Sequence, residues 1–232
     1  MIDEPNSDAP VITIDGPSGT GKGTISQLLA EKLGWHLLDS GALYRTLALA
    51  AHVRQLDLGD KAALSELAAK LDVHFLASNP GDASAVMLDG DAVTERIRDE
   101  KIGDAASVVA AYSAVRSALL ARQRAFQQQP GLVADGRDMG STVFPSAELK
   151  IFLTASAEVR AERRHKQLIT KGQGGSLRAL LEDIMARDER DRTRSASPLR
   201  PAEDAIIVDS SAMNIEQVLT LVLEEVERIA LR

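Results

Sequence analysis

The chain has no cysteine among its 232 residues. That rules out disulfides, thiolate zinc sites and a cysteine nucleophile, and it fits a reducing compartment, so a cytoplasmic location is the expectation. Histidine is scarce: His36, His52, His74 and His165 are the full set and are too scattered for metal-ligand spacing. No apolar run approaches the ~18 residues of a membrane span, so no membrane contact is expected. The start, Met1 to Pro10, carries Asp3, Glu4 and Asp8 without an apolar stretch. It reads as a flexible terminus rather than a signal peptide. The net charge of −7 leaves no broad basic face for a polymer nucleic acid. The guanine-reading tetrapeptide Asn-Lys-x-Asp of nucleotide switches is also missing.

What is present is enough apolar residue, 44%, for one large buried core. Short apolar strands alternate with helical patterns: Val11 to Asp15, Trp35 to Leu38, Leu132 to Asp135, Leu149 to Leu153 and Ala205 to Val208. This order predicts an α/β fold, a three-layer core around a five-stranded parallel sheet. Helices are expected over Lys22 to Leu33 with Gly34 as the stop, and over Ala42 to Val53 with Ser40 as N-cap. A third, Asn214 to Leu231, has Asn214 and Gln217 at capping-box spacing and a buried stripe of Ile215, Val218, Leu219, Val222, Leu223, Val226 and Ile229. Between the second and third parallel strands the pattern turns antiparallel: Val73 to Leu76, Ala85 to Leu88 and Ala92 to Thr94, broken by Asn79-Pro80-Gly81-Asp82 and Asp89-Gly90. A second excursion runs from His165 through Gly172-Gln173-Gly174-Gly175 to Leu177, a hinge over a site or a plain connection.

The run Gly16, Pro17, Ser18, Gly19, Thr20, Gly21, Lys22, Gly23, Thr24 follows the first strand and opens a helix. Glycines there accept turns that aim successive N–H groups inward, the helix adds its positive dipole end, and Lys22 supplies a charge for the β- and γ-phosphates of a nucleotide. The residue after the lysine is Gly23 and not a hydroxyl, so Mg²⁺ is expected to be held through phosphates and water, with Thr24 or Asp135 as candidate direct ligands.

Two charged segments could complete such a site. Asp135-Gly136-Arg137-Asp138 stands at the carboxyl end of a strand, where open α/β sheets bind ligands, unless Asp135 and Arg137 merely pair across a turn. Arg187-Asp188-Glu189-Arg190-Asp191-Arg192-Thr193-Arg194 suits either a solvated helix face or bidentate phosphate contact, with Arg187, Asp191 and Arg194 on one face. Arg160, Arg163 and Arg164 pose the same choice.

Together the segments Ile12 to Thr24, Leu38-Asp39-Ser40-Gly41-Ala42-Leu43-Tyr44-Arg45, Ala134 to Gly140 with Val143-Phe144-Pro145, and Arg187 to Arg194 resemble the bacterial cytidylate kinases, within the P-loop nucleoside monophosphate kinases. The resemblance covers nearly the whole chain. It implies a single kinase unit over residues 11–232: a core (11–39, 112–160, 195–232), an acceptor-binding region enlarged by the antiparallel insertion (40–111) and a helical lid (161–194). It implies that Gly16 to Thr24 hold ATP and that Ser40, Tyr44, Arg45, Ser107, Arg116, Arg137, Asp138 and Asp191 surround CMP or dCMP. Ser107, Arg116 and Asp138 would face the pyrimidine, and Arg187 with Asp191 would reach ribose and phosphate. Lys22, Arg137, Arg187, Arg194 and the lid arginines would neutralise the transferring phosphate, with Mg²⁺ as cofactor and no general base. With no coiled-coil pattern, a monomer is expected.

Overall fold

In a computed structural model of the protein, described over residues 8–76, 85–170, 172 and 174–230, the elements run in the following order. They are β1 (Val11–Asp15), α1 (Lys22–Leu33), β2 (His36–Asp39), α2 (Ser40–Val53), α3 (Lys61–Ala69), β3 (Val73–Leu76), β4 (Ala85–Leu88), β5 (Asp91–Ala92), α4 (Glu100–Val109), α5 (Ser113–Arg124), β6 (Leu132–Gly136), β7 (Leu149–Thr154), α6 (Ala157–Thr170), α7 (Leu177–Thr193), β8 (Ile206–Asp209) and α8 (Ile215–Ala230). The expected five-stranded sheet forms, all parallel, in the order β2-β6-β1-β7-β8.

Both faces of the sheet are covered at its centre, which is why the inner strands are mainly apolar up to their carboxyl ends. Ile12, Ile14, Val133, Ile151 and Leu153 turn to one face, against Ile25 and Leu29 of α1 and Val218, Leu219 and Val222 of α8. Val11, Leu132 and Ala134 turn to the other, against Leu120, Phe126 and the π-helical turn Met139–Val143. The third layer follows from the period of two along each strand.

The local signals explain the ends. Gly34 sits at φ 65, and Trp35 N–H reaches back to Ala30 O at 2.9 Å, closing α1. Asn214 and Gln217 exchange two 2.9 Å bonds at the start of α8, the expected capping box. Of its stripe, Val218, Leu219 and Val222 are buried, Leu223, Val226 and Ile229 are half-buried, and Ile215, 40% exposed, lies over Gly21 instead. One cap is corrected: Asp39, whose carboxylate accepts from Ala42 N–H at 2.8 Å, caps α2, and Ser40 is already its first residue. Ala9 and Pro10 are held in place, since Ala9 is buried and Pro10 O accepts from Leu132 N–H at 2.9 Å. Residues 1–7 of the expected flexible start lie outside the described residues.

The insertion is an antiparallel sheet in the order β3-β4-β5. Asp89 and Gly90, at φ 51 and 87, make its two-residue turn. The last strand is Asp91–Ala92 and not Ala92 to Thr94, because Thr94 Oγ1 accepts from Val86 N–H at 2.9 Å and so replaces the ladder. The turn expected at Asn79 to Asp82 lies outside the described residues. This sheet packs with α2, α3, α4 and α5 around a second apolar cluster that includes Leu43, Leu47, Leu64, Val86, Val109 and Leu119.

Gly16 is fixed by close approach. A Cβ there would stand 2.0 Å from the Leu153 carbonyl oxygen, at φ 150, and that oxygen belongs to strand backbone that cannot give way. Gly16→Ala is expected to cost about 3 kcal/mol or more, read as a lowered urea midpoint at unchanged m-value.

Candidate active site

Parallel pairing in register brings three strand ends to one edge: Asp15 opposite Gly136, and Asp39 opposite Asp135. The segments that follow β1, β2 and β6 therefore open into one cleft of about 1830 Å³, with α4, α6 and α7 as its far walls.

On the donor side, Gly16, Gly19 and Gly21 all have positive φ, and α1 begins at Lys22. The buried Lys22 Nζ donates to Pro17 O at 3.2 Å and stands 3.8 Å from Asp135 Oδ1. Burial, with Arg137 adding repulsion, pushes the Lys22 ammonium down to about 8. Burial likewise pushes the Asp135 carboxyl up to about 6 against the pull of Lys22. Asp135 thus pairs with Lys22 and not with Arg137. The glycine after the lysine faces that carboxylate: a Cβ at Gly23 would lie 3.4 Å from Asp135 Oδ2. Ser18 and Thr24 line the same end of the cleft. Thr20 turns inward, its hydroxyl donating to Pro17 O at 3.2 Å.

Asp15 ties the two halves together. Its buried carboxylate accepts from Met139 and Gly140 N–H, both at 2.8 Å, and so fixes the segment after Asp138. Burial, opposed by those two bonds, pushes it up to about 7.

On the acceptor side, Arg116 forms an ion pair with the buried Asp138, donates to Ala110 O at 3.3 Å and lies 5.7 Å above the Tyr44 ring. Asp191 accepts from Ser107 Oγ at 3.1 Å and from Arg137 Nε at 3.1 Å. Burial raises Asp191, but Arg137, Arg187 and Arg194 outweigh it and hold the carboxyl below the usual range. Ser40 Oγ donates to Gln123 Oε1 at 2.8 Å. Arg187 Nε and Arg194 Nη2 are buried without a protein partner, and both residues line the cleft. Polar atoms left open in this way fit an anionic, hydrogen-bonding ligand.

The arginine run splits. Arg187 and Asp191 face the cleft from α7, whereas Arg190, paired with Asp104 at 2.9 Å, and Arg192 lie outside. Arg194 does not continue the helical face as expected: α7 stops at Thr193, and Arg194 bends back past its end, Nε donating to Ser197 O at 2.6 Å. Arg45 lines the cleft but spends Nη1 on Ile97 O at 3.0 Å. The lid arginines are engaged as well. Arg160 binds Asp188, Arg163 donates to Thr20 O at 3.3 Å and Ser210 O at 2.6 Å, and Arg164 pairs with Glu100. In this conformation they brace protein. Of the Gly-rich connection between α6 and α7, Lys171 and Gln173 lie outside the described residues.

Four residues were given no site role by the sequence: Asp15, Asp39, Gln123 and Asp188. Three of them, Asp15, Asp39 and Asp188, lie inside the segments that carry the resemblance, a visible signal; a lone glutamine inside a helix gives none.

Among the described residues no group of three or more His, Asp or Glu side chains could enclose a metal. One buried carboxylate, Asp135, beside a phosphate loop fits Mg²⁺, which keeps its waters and takes few protein ligands.

Residues 12–228 match the family model for cytidylate kinase. The chain is 59% identical over 221 residues to a cytidylate kinase of Pseudomonas fluorescens (strain Pf0-1), spanning 95% of this chain and 96% of the other. It is 61% identical over 218 residues to one of Pseudomonas savastanoi pv. phaseolicola, spanning 94% and 95%. One of Aeromonas hydrophila subsp. hydrophila is 60% identical over 220 residues, 95% of each chain.

Proposed function

Because the chain belongs to the cytidylate kinase family, a phosphotransferase family, we propose that it reversibly transfers the γ-phosphoryl group of ATP to CMP or dCMP, giving ADP and CDP or dCDP. The observation that carries this reading is the convergence, in one cleft, of the phosphate loop with two arginines that each keep one buried nitrogen without a partner, Arg187 Nε and Arg194 Nη2, and with the Arg116–Asp138 pair.

The acceptor oxygen belongs to a phosphate monoester, whose second ionisation lies near pH 6. It is already ionised at neutral pH, so no side chain need take a proton. What the chain must supply is charge and position. Lys22 and the loop N–H groups hold the donor phosphates. Arg137, Arg187 and Arg194 offset the charge of two polyanions brought together. Arg116, Asp138 and Ser107 face the pyrimidine, with Ser40, Tyr44 and Arg45 around the rest of the nucleotide. Asp135, with Thr24 exposed nearby, would hold Mg²⁺ together with phosphates and water. When bound, the ion neutralises phosphate charge. In the same proposal residues 161–194 act as a lid and residues 40–111 as the acceptor region, closing on the core of one monomer.

The test is a coupled assay of ADP release over a panel of CMP, dCMP, UMP, AMP and GMP. CMP and dCMP are expected to give the highest kcat/KM. Turnover of AMP with none of CMP would sink the reading.

Burial gives the pH profile a shape. Burial lowers the Lys22 ammonium well below the ordinary lysine value, so kcat/KM for ATP is expected to fall on the alkaline side earlier than an exposed lysine would dictate. An alkaline limb set only near the ordinary lysine value would contradict this.

A further inference from the structure

The buried ion pair between Arg160 on α6 and Asp188 on α7 has no role in the function proposed above. Arg160 is 3% exposed and Asp188 4%. The contact is a two-pronged fork: Arg160 Nη1 donates to Asp188 Oδ1 at 3.0 Å and Nη2 to Oδ2 at 2.5 Å. Nη1 also donates to Ser18 O, inside the phosphate loop, at 3.1 Å. Nε donates to Ala155 O at 3.0 Å, the residue that follows β7. Four of the five donors a guanidinium owns are thereby committed to protein acceptors. The side chain also lies flat on the loop: a Cβ at Gly19 would come within 3.2 Å of Arg160 Cβ.

An arginine so committed has no fork left for a ligand. It acts through what it connects, and it connects the donor loop to the helix turn that also carries Arg187, the neighbour of Asp188 in sequence, and Asp191 one turn on. We propose that Arg160 and Asp188 are a positioning pair that registers Arg187 and Asp191 against the phosphate loop. This rests on the phosphoryl-transfer reading, because the register matters only if the loop and Arg187 act on one transferring group.

Physical chemistry favours a positional role. Taking two charges out of water costs about what their attraction returns, so an apolar pair of similar volume is often equally stable. What an apolar pair lacks is direction. A forked, planar contact fixes both distance and angle, and a lysine cannot reproduce it. A displacement of order 1 Å at a charge-neutralising group is enough to lower rate about 100-fold.

The experiment compares R160M, D188N, R160K and the double replacement R160M/D188V, each assayed where circular dichroism finds it folded, with Tm, kcat and the KM for ATP and acceptor recorded. The single variants R160M and D188N are expected to lose Tm and about 100-fold in kcat. R160K, charged but without the fork, is expected to keep most of its Tm and still lose about tenfold in kcat. The double replacement is expected to recover Tm and to stay about 100-fold down in kcat, with KM for ATP within about threefold of wild type. If kcat instead recovers in the double replacement, or tracks Tm across the series, the pair is a structural support and the proposal fails. The comparison is run with whichever acceptor the wild-type chain turns over. An error in the acceptor assignment thus shows in the wild type, and an error in the positioning role shows only in the variants.

Discussion

Lys22→Met is expected to lower turnover by about 1,000-fold or more while leaving the fold intact. The size follows from removing a preorganised charge at a transferring phosphate, where one lost donor costs about 100- to 1,000-fold and one lost cation as much or more. That the fold survives follows from the site. The Lys22 ammonium is buried, and burial drives it down to about 8, so the empty protein holds this charge at a cost. Its protein contacts are one carbonyl, Pro17 O at 3.2 Å, and Asp135 at 3.8 Å. Methionine keeps the stem packed against the loop and drops the charge. Asp135 then loses its partner and is pushed further up, and it meets the loss by taking a proton. Lys22→Arg is no rescue, since the planar fork needs more room than the ammonium and the loop closes around it. The check is kcat with saturating substrates beside a thermal melt. A Lys22→Met protein that keeps more than about a tenth of its turnover would mean that the loop N–H groups and arginines carry the charge alone.

How much of this could be read in advance depended on whether the determining contact was local. The loop and its flanks were legible because strand, glycines, lysine and helix all lie within one short stretch of chain. The parallel sheet was legible because strands buried on both faces are mainly apolar runs. The hairpin at Asp89-Gly90 was legible because positive φ at two successive positions asks for those residues. By contrast, α3, α4 and α5 were not singled out: Lys61–Ala69 and Glu100–Val109 are rich in alanine and charge, and their buried residues become a stripe only against α2 and the inserted sheet. The cap of α2 went to Ser40 by residue type, when Asp39 and Ser40 are equally good caps. Pairing of Asp39 with Asp135 in the sheet decides between them. The arginines show the limit most plainly. Sequence marks Arg160, Arg163, Arg164, Arg187, Arg190, Arg192 and Arg194 alike as positive charge. Which fork stays open depends on acceptors far along the chain: Ser18 and Asp188 for Arg160, Ser210 for Arg163, Glu100 for Arg164. Only the fold separates arginines that brace the protein from those left for a ligand.

Arg187 is the clearest of the second kind, and Arg187→Met is expected to move activity and stability in opposite directions. Turnover should fall by about 1,000-fold, the scale of a lost arginine at a transferring phosphoryl group. Stability of the ligand-free protein should rise. Burial pushes the Arg187 guanidinium down to about 10, with Arg137 and Arg45 repelling it and Asp191 only partly compensating, and its Nε is buried without a partner. For a base lowered in the folded state the penalty is present at every pH below about 10 and fades only as pH climbs from there towards the ordinary arginine range. At neutral pH the penalty is therefore fully present, and only a substitution can remove it. Discounted for the half-buried position, methionine should return about 1 kcal/mol, a rise of roughly 2–4 °C in Tm. Inorganic phosphate supplies the cross-check. It should raise the Tm of the wild type, by giving the unpartnered arginines an anion, and raise that of Arg187→Met distinctly less. A variant that loses both activity and Tm would place Arg187 among the arginines that hold the protein together, and the open site would then rest on Arg194 alone.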